Sequence, residues 1–136
     1  MPILGLAEFK RALVKVAAEA DEAARLAVSR TAAVAESEAK KHFQGSHKRG
    51  EPHTGGAEPN IVTGNLRRSI KTDPITHYGV GDYGTVVAPR AIYGRRVELG
   101  YPEGRGAYPY FMAAAKTARD QFRDIAAEQW RAFLHA

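Results

Sequence analysis

The chain contains no cysteine. That excludes disulfide scaffolds, cysteine-ligated zinc or iron–sulfur sites and thiol nucleophiles, so the fold has to rest on packing. It has no apolar run approaching the roughly 20 residues of a membrane helix. Residues 1–10 carry Glu8 inside their one apolar stretch and no basic leading region, which argues against secretion and membrane spanning. The chemistry of hydrolases is also missing. Serines 29, 37, 46 and 69 stand in neither a Gly-x-Ser-x-Gly elbow nor a Ser-x-x-Lys pattern. His42, His47, His53, His77 and His135 show no ligand spacing, and carboxylates near them are scarce. Asp120, Asp124 and Glu128 lie four apart on a helix and read as a solvated face. No metal site, cofactor site or catalytic residue is expected, and a small enzyme such as a nuclease is disfavoured.

What is present is an ordinary globular composition. The 136 residues are 44% hydrophobic and 26% charged, enough for one core, and residues 1–136 are expected to form a single domain. The net charge of +5 is local. Residues 1–39 carry five basic and six acidic side chains, whereas residues 40–71 carry seven basic ones against Glu51 and Glu58. A basic segment of this kind can meet an acidic protein surface or nucleic acid.

Proline and glycine are absent from Leu6 to Phe43 and alanine is abundant, which predicts a long helix. Leu6, Phe9, Leu13, Val16, Ala20, Ala23 and Ala27 alternate three and four apart and share one narrow face. Arg30 breaks that stripe, so the packing partner should change there. Asp21 with Arg25 and Glu36 with Lys40 are expected surface pairs. At about 1.5 Å per residue the helix runs to about 55 Å, longer than a domain of this size requires.

Residues 44–62 hold four glycines, two prolines and no periodicity, and read as a long flexible basic loop with His47, Lys48, Arg49 and His53 as contact candidates. Thr63 is a plausible N-cap for a short helix that docks through Leu66 and Ile70 and turns Arg67 and Arg68 outward. Residues 75–78 and 85–88 read as two strands of a hairpin or meander. The intervening Gly79-x-Gly81-x-x-Gly84 matches the dinucleotide fingerprint in letters only, because a strand closed by Pro89 follows it and not a helix. Residues 92–99 suit a short helix ended by Gly100, and Pro109 opens an amphipathic C-terminal helix. The expected fold is therefore α+β: a long N-terminal and an amphipathic C-terminal helix packed on a small antiparallel or mixed sheet, with short helices and a long basic loop. Leu66, Ile70, Phe111, Met112, Phe122 and Trp130 are its expected core.

Arg90, Tyr93, Arg95, Arg96, Tyr101, Arg105, Tyr108 and Tyr110 cluster among flexible glycines. Arginine and tyrosine are the residue types of interface anchors and also suit phosphates and stacked bases. No helix-turn-helix, zinc finger or RNA-recognition signature accompanies them.

The order of the short motifs adds to this. Residues 63–70 (TGNLRRSI), then Tyr93 with Val97-Glu98-Leu99-Gly100, then Pro109-Tyr110-Phe111-Met112 with Ala115, resemble the neck or tail-completion proteins of long-tailed bacteriophages, labelled as tail components. The resemblance covers residues 60–118; Gly94-Arg95-Arg96 departs from it in carrying more glycine and more charge. It implies a structural virion protein at the junction of head and tail, assembled in the host cytoplasm. It also implies a homo-oligomeric ring that contacts connector or head-completion proteins and tail-terminator or tail-tube proteins, with passing contact to packaged DNA. The interface candidates are then Arg67, Arg68, Tyr93, Arg95, Arg96, Glu98, Tyr101, Arg105 and Tyr108, with Glu98 either an interface partner or a local cap. The alternative is a small basic nucleic-acid-binding protein.

Overall fold

A computed structural model describes residues 5–43, 64–100 and 107–134. The elements run α1 (Leu6–Lys41), α2 (Asn65–Ser69), β1 (Ile70–Thr72), β2 (Thr76–Gly79), β3 (Asp82–Gly84), β4 (Val87–Pro89), α3 (Gly94–Leu99) and α4 (Met112–Leu134). The α+β expectation holds, with two long helices bracketing a small antiparallel region. The expected loop at 44–62, with its four contact candidates, lies outside the described residues, as do Thr63, Tyr101 and Arg105.

Helix α1 ends as its sequence dictates. Lys40 and Lys41 lie in its last turn, where the helix dipole favours positive charge, and His42 takes the C-cap place. The N-cap of α2 is Gly64, whose φ of 77° only glycine adopts freely. Helix α2 stops one residue earlier than expected, because Ile70 turns into the extended conformation and begins β1. Both Leu66 and Ile70 are nonetheless buried, as expected.

The strands depart from a single hairpin between residues 75–78 and 85–88. Two antiparallel pairs form, one nested inside the other. The inner hairpin pairs Thr76 with Gly84 and Gly79 with Asp82 around a turn at Val80 and Gly81. Gly81, with φ of 70°, supplies the positive φ that such a tight turn demands. The chain then returns to β1, with Ile70 opposite Pro89 and Thr72 opposite Val87. The glycine-rich string is thus the turn of a hairpin, which is the reading preferred over a nucleotide loop.

Helix α1 is the shared wall of the fold. On one side Asp21 accepts hydrogen bonds from the Gly81 N–H (2.6 Å) and the Tyr83 hydroxyl (2.5 Å), which docks the hairpin. His77 stacks on Tyr83 at 4.5 Å and comes within 3.7 Å of the same carboxylate. A few turns further on, Glu36 accepts from Lys40 (2.5 Å) and from the Thr72 hydroxyl (2.7 Å), which ties β1 to the same side. Ala32 and Ala39, at helical spacing from these residues, are buried there. Ala23 and Ala27 are also buried but lie about half a turn from Asp21. That leaves α4, the element with which α1 packs most extensively, to cover them. Burial thus moves to another face of α1 beyond Ala27, and the exposed Arg30 reaches Glu128 of α4 at 4.0 Å. Arg25 pairs with Glu22 (2.5 Å) and not with Asp21, whose carboxylate the hairpin has taken.

The two helices run antiparallel: Ala39 shares a cluster with Ala114, while Arg30 reaches Glu128. The core consists of Ala39, Phe43, Leu66, Ile70, Tyr110 and Ala114, with Val87, Ala91, Val97 and Phe111 packed against it. Three expected core residues are not in it. Met112, Phe122 and Trp130 are 67%, 45% and 44% exposed, because α4 is covered along the narrow line of Ala114, Ala118 and Gln129 and its bulkier residues lie to one side.

The Asp21 carboxyl is held below its ordinary value by the Gly81 N–H, the Tyr83 hydroxyl and nearby His77. A depressed carboxyl contributes to docking above the ordinary carboxylate range and ceases to as pH falls through its lowered value. The hairpin should therefore stay seated at neutral and mildly acidic pH and detach only below the usual carboxylate range, as followed by the Tyr83 ring resonances. At neutral pH, Asp21→Ala should speed amide exchange at Gly81 severalfold, while amides of α4 stay unchanged.

Candidate interaction surface

The register of the outer strand pair brings separate arginines together. Because Ile70 is opposite Pro89, α2 enters the pair at the same end from which the chain leaves toward α3. The Arg90 N–H donates to the Ser69 carbonyl at 2.9 Å and secures that end. Arg67 and Arg68 on α2 and Arg95 and Arg96 on α3 are all exposed and project from it. Arg90 joins them but is paired with Asp73. Arg68 also donates to the Asn65 side chain at 2.8 Å, which fixes its direction. Four exposed arginines thus lie on the two short helices that flank one end of the outer strand pair, and their guanidinium groups suit carboxylates or phosphates.

Tyr93, the N-cap of α3, is exposed at 42%. The Tyr108 N–H donates to the Val97 carbonyl at 2.7 Å, so this tyrosine lies along α3. Tyr110 differs from the surface tyrosine that its neighbours suggested. It is 1% exposed, with its ring 5.0 Å from that of Phe43 and its hydroxyl donating to the Gly94 carbonyl at 3.1 Å. That contact explains the extra glycine in the motif. A Cβ at Gly94 would lie 2.8 Å from Pro89 Cγ and 3.1 Å from the Tyr110 hydroxyl, so no larger residue fits without displacing them.

Glu98 is a cap. Its Oε2 accepts from the N–H groups of Tyr110 (2.7 Å) and Phe111 (2.9 Å), and its Oε1 from that of Met112 (3.0 Å). These are the unpartnered donors at the start of α4, where the helix dipole also favours a negative charge. The residue comes from α3, about a dozen positions upstream in the chain, so no local capping pattern announces it. Asp21 and Glu36 are likewise long-range anchors that local helical pairing cannot reveal. The Glu98 carboxylate is thereby engaged by the backbone donors at the start of α4.

Among the described residues, no group of three or more His, Asp or Glu is placed to hold a metal ion, and no helix is long and apolar enough to cross a membrane. A family model described as "Bacteriophage HK97-gp10, putative tail-component" matches residues 7–100, which include α1, the strands, α3 and Glu98. No curated protein and no solved structure matches the chain.

Removing the Glu98 carboxylate leaves three backbone donors without their charged acceptor. Glu98→Ala should cost about 2–3 kcal/mol and Glu98→Gln about 1–2 kcal/mol in thermal or denaturant unfolding. Burial, and to a lesser degree the Glu98 charge, pushes the Tyr110 phenol up to about 12. A raised phenol contributes stability below its ordinary value near 10, and that contribution is lost as pH rises toward 12. In an absorbance titration one tyrosine should ionise late and together with unfolding, and Tyr110→Phe should remove that late component.

Proposed function

Since the chain belongs to the HK97-gp10-like family of bacteriophage tail components, we propose that it is a structural virion protein that closes into a homo-oligomeric ring at the neck, joining the head connector to the tail tube. Its role there is to bind neighbours and leave a passage for DNA; no catalysis is involved. The observation that carries this reading is that α1 outruns its own fold. Helix α1 has 36 residues and α4 has 23, lengths of about 54 and 34 Å. Every residue from Leu6 to Ala18 is exposed, so about a third of α1 stands clear of the other described residues. An isolated helix of this length is marginal in water, and it gains a purpose when a neighbouring subunit covers it.

The charge distribution supports the same reading. In a head-to-tail ring the two faces of each subunit must be complementary. The acidic-leaning residues 1–39 and the basic residues 40–71 supply opposite signs, and the arginine-bearing sheet end adds to the second. Connector proteins above and tail-terminator or tube proteins below are the partners that a neck ring requires. Arg67, Arg68, Arg95 and Arg96 are assigned to these contacts, with Tyr93 and Tyr108 beside them.

Light scattering on purified protein over a range of concentrations, with and without tail-tube or connector proteins, tests this. The expected outcome is a closed ring, formed alone or on those partners, with Arg67→Glu combined with Arg68→Glu reducing assembly at least tenfold and leaving the thermal midpoint in place. A protein that stays monomeric in every mixture, yet binds DNA with a steep salt dependence, would replace the ring with the nucleic-acid-binding alternative.

A further inference from the structure

Two apolar stripes on this chain are left uncovered, and they lie on different helices. The first is the projecting part of α1. Leu6, Phe9, Leu13 and Val16 are 70%, 52%, 53% and 47% exposed. They continue, in the same alternation of three and four, through the half-buried Ala20 to Ala23 and Ala27, which are buried where α4 runs alongside. The seam therefore does not end where its intramolecular partner ends. The second stripe is the flank of α4 formed by Phe122, Ala126, Trp130 and Phe133, four or three apart and therefore on one side of the helix. Phe122 and Trp130 keep nearly half their surface exposed.

We infer that the projecting seam of one copy packs against the Phe122–Trp130 flank of a second copy, an inference that rests on the ring reading above and names the surfaces that would close it. Continuity is the first argument. Helix α1 already packs on an α4 through this seam, and the neighbour's α4 extends the same kind of helix-to-helix contact past the end of its own. Closure is the second. If two projecting segments merely paired with each other, the Phe122–Trp130 flank of each copy would stay uncovered. In a head-to-tail arrangement each subunit gives its seam on one side and receives one on the other, so every copy makes two contacts and the ring closes without a free end. Shape is the third: Ala126 within the flank and Ala12 beside the seam are small and let the two helices approach closely.

The absence of native cysteine makes the test direct. Full-length chains carrying only Ala12→Cys are mixed with full-length chains carrying only Ala126→Cys, oxidised, and separated on a non-reducing gel, with light scattering on the same samples. Neither substitution touches the core, and each variant's thermal midpoint is compared with that of the natural chain. The expected result is a mixed 12–126 dimer several times more abundant than either like-with-like dimer. The sole tryptophan, Trp130, should in parallel shift its emission to the blue as assembly proceeds, and Leu13→Lys should abolish the shift. Assembly by scattering without a 12–126 product or a Trp130 shift would overturn this contact and leave the ring standing. A dominant 12–12 product would mean that projecting helices pair with each other, which also overturns it. Cross-linking and a Trp130 shift that require tail-tube protein would assign the flank to that protein and overturn the second-copy assignment. No assembly under any condition would overturn both the contact and the ring.

Discussion

Three hydrogen bonds to one carboxylate hold the fold's two halves in register. Glu98 sits on α3, at the end of the segment that leaves the outer strand pair, and it grips the first backbone donors of α4. The grip positions Tyr110, two residues before α4, between Phe43 just beyond α1 and Gly94 at the start of α3. Once Tyr110 is seated, Ala114 follows it into the core beside Ala39. The direction of α4, and with it the whole antiparallel pairing of the long helices, depends on where that helix is started. An uncompensated helix terminus in the same place would be free to swivel.

From this point outward the fold is built on alanine. Helix α1 is covered on two sides, by the strands and by α4, and the buried residues are small: Ala32 toward the strands, Ala23 and Ala27 toward α4, and Ala39 in the core that Ile70 and Ala114 share. Close approach leaves little room for large side chains, so the polar anchors Asp21 and Glu36 do much of the positioning and the large apolar residues are left elsewhere. Some of them are left on the surface. The exposure of Leu6, Phe9, Leu13, Phe122 and Trp130 follows from the same economy of small residues that packs the interior.

These features decide what could be read from the residues alone. The long helix, the short helix at Leu66 and the amphipathic final helix follow from local rules of propensity and spacing and are present, although the short helix is capped by Gly64 and not Thr63 and the final one begins at Met112 and not at Pro109. The order of TGNLRRSI, VELG and PYFM also pointed to the family, whose model covers residues 7–100. The expected hairpin or meander of residues 75–78 and 85–88 forms with a different partner, since residues 85–88 suit β structure equally well with either neighbour and only the tight turn at Gly81 commits β2 to β3. A helical stripe of aromatics ordinarily faces inward, which is why Phe122 and Trp130 read as core residues; periodicity shows which residues share a face and is silent on whether this chain covers it. Glu98 as a cap, Tyr110 as a core residue and Asp21 as the hairpin's anchor all depend on partners 12 or more positions away, beyond the reach of local pattern.

On the proposed reading, the exposed first third of α1 and the arginine-bearing sheet end are the surfaces that neighbours complete. The most direct test is amide hydrogen exchange along α1, followed from dilute protein to assembled particle. Amides of residues 20–41 should be protected throughout, and those of residues 6–18 should exchange rapidly when dilute and become protected only on assembly. Strong protection of residues 6–18 in the dilute monomer, or their continued rapid exchange in the assembled particle, would contradict the account.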